Sequence, residues 1–423
     1  MALFNRRAAR HVQAMTDTHS GIDSRYAWTR LAISVLLATI GCAGMWVIVV
    51  IMPAVQAEFG VDRAGASFPF AVMMIFFAIG SLLFGRAIDA WGYWRPALIC
   101  ILALAAGFLL ASRAQSILQF TLAQGVLIGL GSAAMFSGLI ADVSHWFRKR
   151  RGLAVALAAS GNYLAGAFWP AITPHFLAAY GWRTTYAAIG VIGLLTMVPL
   201  VLLLRRRIGH TLPADQTAAI NRRSLPLTPG QLQALLIIAG FGCCMAMSMP
   251  QVHIVAYCMD LGYGVARGAE MLSVMLATGI VSRIGSGFLA DRIGGIRTAL
   301  IGSVLQCLAL IAYIPFDGLT SLYVVSLIFG LSQGGIVPCY AIIVREYLPA
   351  AEAGRRIGLV ITATILGMAV GGWVTGLIYD WTGSYAVAFL NGIAWNFINI
   401  GAMLLILTKD GGQLRAAAAS SVI

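Results

Sequence analysis

The stretch Thr278–Gly295, TGIVSRIGSGFLADRIGG, sets Arg283 inside an apolar run from about 269 to 289 and closes that run with Gly287-x-x-x-Asp291-x-x-Gly294. A charge at the centre of a bilayer costs at least about 2.5 to 3.5 kcal/mol, so a buried intramembrane arginine marks a functional site unless something neutralises it. No other Lys, Arg, Asp or Glu is placed by the sequence deep in an apolar span. The closing pattern also has a twin, Gly85-x-x-x-Asp89-x-x-Gly92. Gly181 and Gly383 repeat at the same spacing, and GLGSAAMFSG (129–138) and GLSQGGIVPC (330–339) repeat at nearly that spacing.

Outward from this stretch, the chain reads as a series of membrane spans. Each needs about 20 apolar residues, and such runs occur near 31–53, 67–85, 96–112, 117–141, 152–178, 184–204, 231–258, 269–289, 298–315, 320–344, 357–378 and 385–407. One long polar connection, 205–229, divides them into two sets of six. The expected fold class is therefore an all-α membrane protein, with twelve transmembrane helices in two pseudo-symmetric six-helix bundles. The expected boundaries are an N-terminal tail (1–27), a first bundle (28–207), a linker (208–229), a second bundle (230–408) and a C-terminal tail (409–423). Parallel repeats of this kind enclose a substrate site near the midplane.

Composition narrows the class. Of 423 residues, 60% are hydrophobic and 10% charged, against about 25% charged in soluble domains. The first 27 residues lack the apolar core of a cleavable signal and are expected to stay cytosolic. The net charge of +13 does not point to nucleic acid, because the cations cluster in short loops at 148–151, 205–207, 222–223 and 355–356. That is the positive-inside pattern, which puts both termini in the cytosol. Only Arg63, Arg113, Arg183 and Arg267 then fall outside, and the lipid bilayer is the macromolecular environment expected. Arginine dominates over lysine, with Lys149 and Lys409 the only lysines, which suggests a GC-rich bacterial genome and a bacterial inner membrane. The seven cysteines all lie in apolar spans without metal-ligand spacing, so neither metal nor cofactor is expected. No enzyme-like constellation of His, Cys and Asp and no phosphate-binding loop stands outside the membrane. Two duplicated halves with glycine-rich loops favour a carrier over a channel or a nutrient sensor, and a monomer is expected.

The segment GRAIDAWGYWR (85–95) resembles the loop signature of the Major Facilitator Superfamily between its second and third helices, with a weaker copy at 287–297. WFRKRRGLAVALAASGNYLAG (146–166) is similar to the fifth-helix signature of the monocarboxylate porter family. PQVHIVAYCMDLGY (250–263) and SRIGSGFLAD (282–291) add to that likeness, and porters of this family carry an arginine on the eighth helix. The resemblance implies a secondary carrier that moves a small monocarboxylate by alternating access, with proton symport. An organic-anion exchanger like the oxalate/formate antiporters is the alternative. Drug or metabolite efflux is disfavoured, because the antiporter fifth-helix signature is missing and Thr121 stands where many proton antiporters have an arginine. The chain departs from the porter pattern at Gly279, where an aspartate often precedes the arginine by one turn, and it has no lysine in the first or eleventh span. One central positive charge fits a monoanion.

Arg283 is the expected carboxylate anchor, since guanidinium presents a planar, permanently charged fork; the plain alternative is a buried ion pair. Asn162, Tyr163 and Ser137 are candidate polar lining, with Phe136, Trp46 and Tyr340 as the wall for the substrate's tail. Each could instead be core or helix-to-helix bonding. His253, near Gln251 and Tyr257, is the proton candidate, although a lone histidine in an apolar helix is more often hydrogen-bonded structure. The Asp89 and Asp291 loops, with Gly85 and Gly92, are expected gates, in which an acid caps the positive end of a helix in the other half. The resemblance implies Arg86 and Arg95 as partners there. Glycines 367, 371, 372 and 376 give the eleventh span a face for close packing.

Overall fold

The computed structural model describes residues 21–206, 225–349 and 352–420, leaving aside the side chains of Asp89 and of 411–420. Most of the expected 1–27 tail and nearly all of the 208–229 linker lie outside the described residues. Every described element is helical, as a bilayer demands of a chain that cannot leave backbone groups unpaired in hydrocarbon.

Eleven helical stretches are long and apolar enough to span a membrane. One of them, Arg151–Leu202, contains Gly181 at φ 75 and ψ 166, a non-helical kink that makes it two helices. The protein is therefore a multi-pass membrane protein with twelve long helices among the described residues: α1 (Arg25–Phe59), α2 (Arg63–Trp91), α3 (Trp94–Ser112), α4 (Ile117–Trp146), α5 and α6 on either side of Gly181, α7 (Pro229–Asp260), α8 (Gly264–Ile293), α9 (Gly295–Ala312), α10 (Leu319–Tyr347), α11 (Ala353–Thr382) and α12 (Tyr385–Ser420). The last helix runs past 408, where a tail was expected to begin. The two bundles meet chiefly along α2 with α11 and α5 with α8.

The repeat is physical as well as textual. Gly92 and Gly294 end α2 and α8 with nearly the same backbone, φ 74 and ψ 172 against φ 86 and ψ 163. In α4 the segment Ala134–Gly138 is π-helical, and at the matching place in α10 the helix breaks at Gly334 and Gly335. Such irregular backbone is tolerated at membrane depth only where protein or a cavity satisfies it.

Two charges correct the sequence reading. Arg30 and Asp142 were placed just outside the spans 31–53 and 117–141, but both lie within helices and are buried. They form a two-pronged pair, Nε to Oδ2 at 2.7 Å and Nη2 to Oδ1 at 2.8 Å. Arg30 also donates to the Leu204 carbonyl at 3.1 Å and stacks over Trp146 at 4.6 Å. This clamp ties α1, α4 and the end of α6 together.

Candidate functional site

Gly279 and Arg283 occupy one face of α8, a single turn apart. The ring of Tyr163, from α5 in the other bundle, fills the space beside Gly279, where an added Cβ would sit 2.5 Å from Tyr163 Cε1. That contact leaves no room for a side chain at position 279 while the Tyr163 ring keeps this place. It also sets the Tyr163 ring under the Arg283 guanidinium, whose Cζ lies 4.4 Å from the ring centroid. A cation over an aromatic face gains about 0.5 to 2 kcal/mol, more when dry.

The break in α10 supplies the second contact. Gly334 packs so closely on α8 that a Cβ there would come within 2.1 Å of the Gly279 carbonyl oxygen. Arg283 Nε donates to the freed Gly334 carbonyl at 3.3 Å, and Nη1 donates across the bundle interface to the Ala159 carbonyl at 3.2 Å. Among the described residues no carboxylate pairs with Arg283. Neutral carbonyls satisfy part of its hydrogen bonding and none of its charge, so an incoming anion gains the full charge-assisted interaction.

Asn162 and Trp46 join the same neighbourhood. Trp46 Nε1 donates to the Asn162 carbonyl at 3.1 Å and to its Oδ1 at 3.0 Å, binding α1 to α5 immediately beside Tyr163. The structure thus gathers Arg283, Tyr163, Asn162 and Trp46 from three helices. The remaining expected wall residues share none of these contacts. Phe136 stacks on Phe77 of α2, centroids 6.1 Å apart, and Ser137 bonds back to the Ala133 carbonyl within α4. Tyr340 is fully buried inside the second bundle and donates to Asn399 Oδ1 at 2.9 Å.

Contacts that join the ends of the two bundles lie on the face opposite the termini. Arg86, Arg95 and Asp291 are exposed and take part in no ion pair among the described residues; Arg95 lies over the ring of Trp94. Gly85 and Gly287 have open space around them, and the side chain of Asp89 lies outside the described residues. The device foreseen for those loops, an acid capping a helix of the other half, is instead built by Asp380 at the end of α11. It accepts the Arg63 and Ala64 N–H groups at the start of α2, at 2.9 and 2.7 Å. Arg63 in turn donates to both oxygens of Asp260 at the end of α7, at 3.0 and 2.9 Å, and lies over the ring of Tyr379. Below this latch α11 presses on α2 through Gly376, where a Cβ would stand 2.9 Å from the Ala64 backbone. Arg63 and Asp260 escaped the sequence reading because both sat in apparent loops. The register Gly372, Gly376, Asp380, one helical turn per step, was the available signal.

A helix-capping carboxylate is worth roughly 1 to 2 kcal/mol. Asp380→Ala is therefore expected to shift the population away from the state closed at this face by roughly 5- to 30-fold. Spin labels on the α1–α2 and α7–α8 turns, read by pulsed electron resonance, should show a longer distance distribution; an unchanged distribution would rule the latch out.

His253 sits within this closed seam, fully buried. Its Nε2 lies 2.7 Å from the Gly372 carbonyl, its ring is 5.9 Å from that of Tyr385, and Nδ1 faces no partner. With Nε2–H donating and Nδ1 bare, the site holds a neutral ring. His253 is seven residues from the Asp260 end of α7 and Arg283 nineteen from the Gly264 end of α8, so roughly 18 Å of helix rise separates their depths. The two are not brought together.

The sequence model of the Major Facilitator Superfamily matches residues 34–341 and 286–420. Monocarboxylate transporter 13 of Bos taurus is 28% identical over 310 residues, covering 71% of this chain and 70% of its own length. An MFS-type transporter of Gibberella moniliformis is 26% identical over 324 residues, covering 75% and 76%. Among solved structures, a bacterial homologue of the human lysosomal transporter Spinster, in an inward-facing and unoccupied conformation, superposes with a TM-score of 0.72 at 15% identity, over 93% of this chain and 98% of that one.

Proposed function

Because the chain belongs to the Major Facilitator Superfamily, we propose that it carries a small monocarboxylate across the membrane by alternating access, with Arg283 as the carboxylate anchor. The observation that carries this reading is a guanidinium at the junction of the two bundles, held by two carbonyls and an aromatic face with no protein acid to neutralise it. The carboxylate takes the place of the Ala159 carbonyl at Nη1, and Tyr163, Asn162 and Trp46 shape the space around its tail. A group that touches both bundles couples binding to their relative motion, because the anion changes what joins α5 to α8. The likeness to a monocarboxylate transporter favours this cargo over a dianion, as does the single central charge.

The positive-inside distribution of arginine places the termini face in the cytosol. On that orientation the face closed by Arg63, Asp260 and Asp380 is the outer one, which favours reading this conformation as inward-facing. In proton symport the carrier gives up its proton in that state and leaves it empty, and a neutral His253 ring fits the emptied form. When the outer seam opens, His253 meets water and takes up a proton from it; closure over a charged ring without a partner for Nδ1 is costly, so protonation of His253 favours the state open at the outer face. His253→Gln is expected to flatten the pH dependence of uptake between about pH 5 and 8. A wild-type pH profile in that variant removes His253 from the coupling.

Counterflow of labelled acid into proteoliposomes tests the function itself. Lactate, pyruvate, short fatty acids, oxalate and aromatic acids are offered in turn, and saturable counterflow with at least one monocarboxylate is expected. Counterflow with oxalate alone would favour the exchanger.

A further inference from the structure

A groove of about 200 Å³ opens on the membrane-facing side of the second bundle, between α8, α9 and α10. Its walls are helical rows. On α8 they are Ser282, Gly285, Ser286 and Leu289, and on α9 Thr298, Ile301, Gly302 and Leu305. Extending each row by one turn towards the termini face reaches an arginine. Leu289 is followed three residues on by Arg292, and Ile301 is preceded four residues earlier by Arg297. Residues three or four apart share a helix face, and Gly294 alone separates the two helices. Arg292 and Arg297 are both exposed, and neither joins an ion pair among the described residues. The acids nearby point elsewhere: Asp291 continues the Gly287 row of α8, and Glu346 accepts the Gly295 N–H. Arg345 adds a third exposed cation at the foot of α10.

We propose that this groove holds one acyl chain of an anionic glycerophospholipid, whose phosphate rests on Arg292 and Arg297. The shape alone would take any lipid tail. The paired cations at the mouth select the headgroup, because an arginine at a membrane surface contributes about 1 kcal/mol towards an anionic lipid. The floor of the groove, Ser332 and Gly335 of α10, adjoins the break on which Arg283 leans, so an occupied groove backs the contact between α8 and α10. The site is independent of which solute the carrier moves.

The test uses the full chain in detergent, titrated with phosphatidylglycerol or phosphatidylcholine and read by native mass spectrometry. Wild type is expected to retain one phosphatidylglycerol with roughly 30-fold preference over phosphatidylcholine, set by two arginines at about 1 kcal/mol each. The double variant Arg292→Gln/Arg297→Gln should lose that preference and keep tail binding. An added Cβ at Gly285 meets open space, so Gly285→Leu projects into the groove and should lose the retained lipid of either kind. Unchanged melting temperatures would show that both variants fold. Equal retention of the two lipids by wild type, a preference that survives the double variant, or displacement of the lipid by free inorganic phosphate would overturn the proposal.

Discussion

Arg283→Lys is expected to reduce carboxylate uptake about 10- to 150-fold, the range that corresponds to losing a charge-assisted hydrogen bond worth roughly 1.5 to 3 kcal/mol. Charge is conserved in this variant, so it isolates geometry. An ammonium cannot hold the Gly334 carbonyl, rest on the Tyr163 ring and still offer a planar fork to a carboxylate. Arg283→Ala removes the charge as well and should abolish uptake. Folding is not expected to suffer in either, because burying an unpaired cation is a cost that both changes relieve or leave unaltered. Expression and melting temperature are measured beside initial rates; near-normal uptake by the alanine variant would sink the anchor role.

The second large effect falls on stability. Arg30 and Asp142 are a buried, doubly hydrogen-bonded pair, and removing one member of such a pair costs about 3 to 5 kcal/mol, since the other charge is stranded. Arg30→Met should therefore lower the melting temperature of the purified protein sharply. Arg30→Met/Asp142→Leu should recover most of the loss, because exchanging a whole buried pair for apolar side chains is often neutral or better. If the double variant is as unstable as the single, the clamp acts through the Leu204 and Tyr26 contacts of Arg30 and not through its charge.

These residues show what could be read from sequence and what could not. The spans and the twofold repeat were legible because hydrocarbon imposes a length on every helix and leaves duplicated landmarks untouched. Arg283 was legible because lipid makes a lone charge conspicuous. Arg30 and Asp142 were missed by an error of a few residues at a helix end, which was enough to move a charge from the interface to the interior. The Tyr163 contact was legible only in part, since Gly279 announced a missing side chain without saying what fills its place. The contact at the opposite end of the bundles was not read from the sequence. An acid does cap a helix of the opposite bundle, but which acid meets which helix depends on the tilt of the bundles, and no local pattern encodes that tilt.

The conformation accounts for the quiet loops. With Asp380 and Asp260 holding the start of α2, the bundles are pinned at one face, and Arg86, Arg95 and Asp291 at the other stand exposed. In the proposed cycle those loops engage when the latch opens. Arg283 lies between the two ends and keeps one hydrogen bond in each bundle.

The most direct test of that central role is competition in counterflow between a transported monocarboxylate and its primary amide, matched in size and shape. The account predicts that the acid competes and the amide does not, and that the difference disappears together with uptake in Arg283→Gln. Equal competition by the amide, or discrimination that persists in Arg283→Gln, would contradict it.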